Sequence, residues 1–129
     1  MTMKLRLQSN SIRLRLKRGE VEQLAKTGRV EEKIIFGTNR DDVFRYLIEV
    51  SATVAVPEAR CGDRLVVVQV PAEAVAHWAS SDDVGMETSQ ALGDQGQLQV
   101  LIEKDFACLN GPEEQNVDTF PNPLAGTKC

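Results

Sequence analysis

The sequence lacks most of the features that identify common functional classes. Its 129 residues include only three cysteines, one histidine, one tryptophan and one tyrosine. No stretch approaches the roughly eighteen apolar residues that a membrane-spanning helix requires, and the N-terminus has no uninterrupted apolar segment of the kind found in signal peptides. We therefore predict a soluble, cytoplasmic protein with no membrane partner.

The cysteines match neither a redox pair nor a zinc motif. Cys61, Cys108 and Cys129 are far apart in the chain and odd in number, so we expect reduced thiols rather than a disulfide framework. The chain also lacks the motifs GxGxxG, GxxxxGK[ST], GxSxG and HExxH. We expect no cofactor and no catalytic residue, and we favour a binding module over an enzyme.

Charge is distributed unevenly along the chain. The segment from Met1 to Arg18 carries six basic side chains and no acid, while the net charge of the whole chain is -4. The segment from Gly19 to Cys129 therefore carries a net charge of -10. The two regions should attract each other.

The basic residues near the N-terminus alternate with apolar ones, which predicts a β-hairpin with one basic and one apolar face. With Ser9 and Asn10 as its loop, the hairpin pairs Lys4 with Arg15 and Arg6 with Arg13. We call Lys4, Arg6, Arg13 and Arg15 the basic ladder.

Like charges that face each other destabilise a hairpin, so the basic ladder needs a negative neighbour. We predict an adjacent strand that carries Glu31, Glu49 or Glu103. The alternative is an anionic ligand bound on the basic ladder. Nucleic acid is disfavoured because the pI is about 5.0 and no aromatic residue is interleaved with the basic ones.

The apolar pattern of the chain repeats at a constant offset in the numbering. This offset places Val21 on Val75, Leu24 on Trp78, and the segment Leu47-Ile48-Glu49 on Leu101-Ile102-Glu103. We predict an α+β fold with a mainly antiparallel sheet, as a single domain over residues 1–129. It contains two tandem β-α-β-β(-β) repeats, about 11–56 and 65–110, an additional N-terminal strand and a C-terminal strap over 111–129.

The repeat also predicts local structure. Helices should cover residues 19–27 and 72–80, with Gly28 as the left-handed end of the first. Residues 57–63 should link the two repeats, and residues 52–56 could form a short strand. The shared core is predicted to contain Leu14, Val21, Leu24, Ile48, Val68, Val75, Trp78 and Ile102.

Glu49 and Glu103 occupy equivalent positions, and symmetric repeats can bring such positions together in a central cleft. Two carboxylates with nearby amides could hold a hard divalent cation. Paired repeats of this topology resemble the vicinal oxygen chelate folds, in which strands of both halves bind a metal. The alternative is a cross-strand ion pair with Arg13 or Arg15, the ordinary use of charges on a polar sheet face.

Cys108 follows Phe106 by two positions, so both side chains should share one face of a strand. We predict that Phe106 and Cys108 lie in the core and that the thiol is inert. The alternative is a reactive thiol beside Glu113, Glu114 and Asp118. Phe120 should anchor the tail on an apolar patch.

Three segments resemble a bacterial family of small proteins of unknown function: NSIRLRLKRGEVEQLAKTGRVEE, LIEKDFACL and DTFPNP. The resemblance covers nearly the full length, and it implies no activity, cofactor or catalytic residue. We predict a cytoplasmic binding or interaction module, which an edge strand could join into a homo-oligomer. The alternative is a small metal-dependent enzyme or chelate-fold protein whose site lies between the two halves.

Overall fold

A computed structural model describes residues 2–106 and 118–120. These residues form eight strands, two α-helices and one short 3₁₀ helix, which confirms the α+β class. The elements in chain order are β1 (Lys4–Gln8), β2 (Ser11–Leu16), α1 (Arg18–Thr27), β3 (Arg29–Ile35), β4 (Val43–Val50), β5 (Glu58–Gly62), β6 (Leu65–Val70), α2 (Ala72–Ser80), β7 (Gly85–Ala91), the 3₁₀ helix (Gly93–Gln95) and β8 (Gln97–Lys104).

The strands form two four-stranded sheets. Sheet A has the order β1-β2-β8-β7, and sheet B has the order β3-β4-β6-β5. Four strand pairs are antiparallel, and two pairs, β2–β8 and β4–β6, are parallel. The prediction of a mainly antiparallel arrangement is confirmed. Each sheet joins a hairpin from the first half of the chain to a hairpin from the second half.

The register of the N-terminal hairpin is confirmed. Lys4 lies opposite Arg15 and Arg6 lies opposite Arg13 in the pairing of β1 with β2. Ser9, in the turn between these strands, adopts a left-handed backbone conformation with a φ of 51°. Gly28, predicted to end the first helix, has a φ of 81° and donates its N–H to the carbonyl of Leu24.

The repeat contains one more strand than the sequence suggested. The offset that places Val21 on Val75 also places β1, β2 and β4 on β5, β6 and β8, with matching first and last residues. The N-terminal strand is therefore present, as predicted, but it has a counterpart in β5. The prediction that residues 57–63 are only a link is wrong, since residues 58–62 form β5, and residues 52–56 form no strand. The observed unit is β-β-α-β-β, over 4–50 and 58–104.

The core between the two sheets contains all eight residues that the repeat pattern predicted. Their exposed fractions lie between 0 and 3%. Helices α1 and α2 contact each other at the end of the sheets where β2 and β6 finish. We call this the helix end. The opposite end, at the turns after β1, β3, β5 and β7, is the open end.

In the parts of the chain that the structure describes, neither helix has the length and apolar sequence needed to cross a membrane.

The packing of Trp78 generates a stability prediction. Its ring is 1% exposed and its indole N–H donates to the carbonyl of Val84 at 3.1 Å. Replacing Trp78 by alanine should lower the free energy of unfolding by about 3 to 5 kcal/mol, the usual cost of emptying a core aromatic site. Urea denaturation measures this change.

The neighbouring residue on α2 supplies the control. The side chain of His77 is 72% exposed, and its Nε2 atom lies 2.9 Å from Oδ2 of Asp83. His77→Ala should therefore change the free energy of unfolding by no more than about 0.5 kcal/mol. A loss below about 1 kcal/mol for Trp78→Ala would contradict the core described above.

Candidate functional site

The basic ladder lies on the outer face of sheet A. Alternation along β1 and β2 points the apolar residues inward, where Leu14 and Leu16 are buried, and leaves the four cations on the opposite face. These four residues line a hollow of about 300 Å³. The residues predicted to bind an anion therefore lie around one concavity.

Two acids lie beside the basic ladder. The Oε1 atom of Glu103 is 3.3 Å from Nε of Arg13 and 3.6 Å from Nε of Arg15. The parallel pairing of β2 with β8 places Glu103 there, opposite Arg15. Nζ of Lys4 lies 3.1 Å from Oδ2 of the buried Asp105. The prediction that a neighbouring strand supplies an acid is confirmed, and the acid is Glu103.

Many hydrogen-bond donors of the basic ladder are nevertheless unused. Within residues 2–106 and 118–120, Arg6 forms no ion pair, and neither Arg13 nor Arg15 donates a side-chain hydrogen bond. Each guanidinium group has five N–H donors in a fixed plane. Apart from the contacts of Arg13 and Arg15 with Glu103, the guanidinium donors of the three arginines have no partner among the described residues.

The repeat supplies a direct comparison for this surface. The positions of sheet B that correspond to the basic ladder are occupied by Glu58, Arg60, Val67 and Gln69, paired in the same register. Arg60 donates to Oε1 of Gln69 at 2.8 Å, and Gln69 donates to Glu49 at 3.0 Å. In sheet B, equivalent positions therefore form a hydrogen-bonded chain that uses its polar groups.

The two equivalent surfaces differ strongly in charge. In sheet A, four cations and the carboxylates of Glu103 and Asp105 give a net charge of +2. In sheet B, the cation Arg60 and the carboxylates of Glu58 and Glu49 give a net charge of -1. Both surfaces belong to the same kind of sheet, so the fold does not itself require the positive charge of sheet A.

Glu49 and Glu103 do not meet at a central cleft. Glu49 belongs to β4 in sheet B and Glu103 to β8 in sheet A, and their neighbours Ile48 and Ile102 are the residues that point into the core. Each glutamate therefore lies on the outer face of its own sheet. In the described part of the chain, no group of three or more His, Cys, Asp or Glu side chains could hold a metal ion.

The proposed thiol site lies mostly outside the described residues. Cys108, Glu113 and Glu114 are not among them, whereas Cys61 is exposed and free. Asp118 binds the start of α1: its carbonyl accepts from the N–H of Arg18 at 2.9 Å, and its carboxylate accepts from the N–H of Gly19 at 3.0 Å. It therefore serves as a remote cap for α1.

The two phenylalanines of this region pack against each other. The rings of Phe106 and Phe120 are 6.0 Å apart in an edge-to-face arrangement, and the N–H of Phe120 donates to the carbonyl of Asp105. Phe106 is only partly buried. Its predicted position in the core is therefore not observed: β8 ends at Lys104, and Phe106 forms an isolated bridge with Phe120.

A second polar cluster, which the sequence did not single out, surrounds Met3. The buried carboxylate of Glu20 accepts from the N–H of Lys17 at 2.9 Å, and the hydroxyl of Tyr46 donates to the carbonyl of Met3 at 2.6 Å. Burial raises the pKa of Glu20 above its ordinary value, and the nearby Glu32 acts in the same direction. Burial also raises the pKa of Tyr46.

The repeat alignment contains the only signal for this cluster. In the second half of the chain, the positions equivalent to Lys17, Glu20 and Tyr46 hold Pro71, Ala74 and Val100. These three positions are therefore polar in one half and apolar in the other. Local sequence alone shows Glu20 only as an acid in the first turn of a helix.

The chain belongs to a family of unknown function, DUF7009, which it matches over residues 3–124. This confirms the resemblance identified from the sequence. No curated protein and no solved structure matches the chain. The family provides no activity to transfer, so the function must be inferred from the geometry.

Glu103 should stabilise the basic ladder. Glu103→Gln leaves Arg13 and Arg15 facing other cations without their negative partner, so the free energy of unfolding should fall by about 0.5 to 1 kcal/mol at low salt. The loss should shrink at high ionic strength because salt screens the repulsion. Glu87→Gln, on the exposed face of β7, is the matched control and should have little effect. Equal losses for the two variants would contradict this role.

The buried Glu20 should make stability depend on pH. Because burial raises its pKa in the folded state, the folded protein binds this proton more tightly than the unfolded chain does. The stabilisation that this bound proton provides is complete below the pKa of Glu20 in the unfolded chain. It is lost as the pH rises through the higher pKa of Glu20 in the folded protein. Relative to Glu20→Gln, the wild type should therefore lose stability as the pH rises above about 4.5.

Thermal unfolding of both proteins between pH 4 and pH 7 tests this sign. Glu22 is exposed on the same helix, so the stability of Glu22→Gln should depend on pH in the same way as that of the wild type. A wild type that instead gains stability over Glu20→Gln with rising pH would show that the hydrogen bond from Lys17 outweighs burial.

Proposed function

We propose that this family member is a binding module that recognises an anionic group, of the phosphate or carboxylate type, on the basic ladder. The observation that carries the proposal is the difference in charge between two equivalent surfaces. Sheet B folds with Glu58, Val67 and Gln69 at the positions where sheet A has Lys4, Arg13 and Arg15. A role in ligand recognition accounts for this excess of cations.

The chemistry of the side chains suits an oxyanion. Arginine presents a planar fork of donors that matches the oxygens of phosphate and carboxylate, and these charge-assisted hydrogen bonds are stronger than neutral ones. Arg6, Arg13 and Arg15 line the same hollow, and among the described residues Glu103 is the acid that pairs with their side chains. An anion in the hollow would also relieve the repulsion between the facing cations.

The size of the hollow favours a small ligand. Its volume of about 300 Å³ lies at the lower limit of typical ligand pockets. The pI of the whole chain is about 5.0, so the surface away from the basic ladder would repel an extended polyanion. We therefore propose a single phosphate or carboxylate group of a small molecule or peptide, rather than nucleic acid.

We also propose that the protein acts in the bacterial cytoplasm. The exposed free thiol of Cys61 supports this location, since such thiols persist in reducing compartments. The resemblance to a bacterial family supports the same assignment.

Phosphate should stabilise the native protein. At constant ionic strength, replacing chloride by inorganic phosphate should raise the melting temperature in a saturable manner; at 100 times the Kd the stabilisation would be about 2.7 kcal/mol. Arg6→Gln should abolish most of this shift. Arg6 is the best residue to replace because it forms no ion pair in the described residues, so the change breaks no observed contact.

Two further variants separate binding from general charge. Arg45→Gln removes one exposed cation from the outer face of sheet B and should leave the phosphate response unchanged. A triple variant, Lys4→Glu with Arg13→Val and Arg15→Gln, gives sheet A the residues of sheet B; it should fold and lose the response. If phosphate stabilises all of these proteins equally, the basic ladder is a solvated surface and the proposal fails.

A further inference from the structure

Strands β1 and β5 are equivalent in the repeat, and each lies at the edge of its sheet. Among the strands that the structure describes, β1 pairs with β2 alone and β5 pairs with β6 alone. In an antiparallel pair, the backbone N–H and C=O groups of every second residue point to the partner strand, and those of the residues between them point away. At a sheet edge, these outward groups need another partner.

A side chain closes the edge of β5. The amide of Gln90, on β7, accepts from the N–H of Ala59 at 2.8 Å and donates to the carbonyl of Ala59 at 2.9 Å. The backbone groups of Ala59 therefore point away from β6. Because a glutamine amide is both donor and acceptor, Gln90 takes the place that a residue of a further strand would occupy.

The equivalent edge of β1 has no such cover among the described residues. Gln90 lies opposite Leu98 on β8, and Ile34 lies opposite Phe44 on β4. Since Leu98 and Phe44 are equivalent positions of the repeat, Ile34 is the counterpart of Gln90. Ile34 is 42% exposed, and its side chain has no group that could bond to a backbone.

Leu5 is the counterpart of Ala59, and Leu7 shares its orientation two residues later. In the described part of the chain, no hydrogen bond reaches the outward N–H or C=O of either leucine. The preceding outward residue, Met3, is used, since its carbonyl accepts from the hydroxyl of Tyr46 at 2.6 Å. The free edge of β1 therefore begins at Leu5, with two donors and two acceptors spaced for the next strand of sheet A.

The side chains of β1 restrict which strand can be added. Lys4 and Arg6 are exposed on the outer face, and Leu7 is 64% exposed on the inner face. Opposite charges on neighbouring strands stabilise a sheet and like charges destabilise it. The complementary strand therefore alternates acidic residues on its outer face with apolar residues on its inner face. A second β1 is a poor partner, because its own cations would face Lys4 and Arg6.

We propose that the free edge of β1 binds a short, extended peptide segment of another protein as an antiparallel strand, in which acidic and apolar residues alternate. The backbone of the peptide bonds to Leu5 and Leu7, and its carboxylates pair with Lys4 and Arg6. In such strand addition, backbone hydrogen bonds supply affinity and side chains supply specificity. The inference rests on the proposed function, since a carboxylate of the peptide is the anionic group that the basic ladder binds.

Fluorescence anisotropy with a labelled peptide, Ser-Val-Glu-Val-Glu-Ser amide, tests the proposal. We expect saturable binding of one peptide per chain. When its valines lie opposite Leu5 and Leu7, the valine N–H groups point to β1 and the glutamate N–H groups point away. N-methylation of both valines should therefore weaken binding about tenfold, the cost of two hydrogen bonds, and N-methylation of both glutamates should leave the affinity unchanged.

Substitutions in the protein test the same edge. Leu7→Pro removes an outward N–H and leaves the ladder with β2 intact, so it should weaken binding several-fold relative to Leu7→Ala, which keeps that N–H. Ile34→Gln leaves β1 unaltered and gives its edge the amide that Gln90 supplies to β5, so it should also weaken binding several-fold. Ile35→Gln is the matched control, since Ile35 is 67% exposed on the outer face.

The phosphate response separates this proposal from anion binding on the basic ladder. Leu7→Pro and Ile34→Gln keep all four cations, so both variants should retain the rise in melting temperature with phosphate. Arg6→Gln should lose the phosphate response and most of the peptide affinity. A wild type that responds to phosphate but does not bind the peptide overturns the strand addition and leaves the anion site standing.

Three further results would overturn the proposal: equal affinity for the two N-methylated peptides, equal affinity for a peptide with lysine in place of glutamate, or equal affinity in Ile34→Gln and Ile35→Gln. A wild type that is dimeric by light scattering and becomes monomeric in Leu7→Pro would also overturn it, because the edge of β1 would then hold a second copy of the chain.

Discussion

The structure depends on two parallel strand pairs that join the halves of the chain. In the pairing of β2 with β8, Leu14 lies opposite Ile102, and in the pairing of β4 with β6, Ile48 lies opposite Val68. These four residues are equivalent positions of the repeat, and all are almost completely buried. Since the hairpins of one half belong to different sheets, neither half can complete a sheet or bury its apolar face without the other.

The repeat makes one half a control for the other, because a residue that differs between equivalent positions is not required by the shared fold. The cluster around Glu20 and the basic ladder both differ in this way, but their polar groups are used differently. The cluster binds the backbone of Met3 and Lys17, so it serves the attachment of the N-terminal strand. The basic ladder pairs with Glu103 and Asp105 but leaves most of its guanidinium donors without a partner among the described residues, and such groups can bind a ligand.

Alternation of apolar and charged residues was sufficient to predict the hairpin register, and the constant offset between the two repeats was sufficient to predict the core. Strand β5 was missed because its segment contains Pro57, Gly62 and Asp63, which are typical of turns, and only Ala59 shows an apolar inward position. The parallel pairing of strands from different halves was missed because sequential strands usually pair with each other. The cap of α1 by Asp118 joins positions that are distant in the chain and leaves no local signal.

The N-terminal hairpin shows how the two faces of a strand can serve different purposes. Its outer face carries the basic ladder, and its inner face carries Leu14 and Leu16 in the core. The inner face is buried at the helix end, where Leu16 is 0% exposed, but Leu7 at the open end is 64% exposed. The apolar alternation of β1 therefore continues beyond the part of the strand that the core covers. An edge strand such as β1 permits this, since it has one neighbour in the sheet and packs on the core along only part of its length.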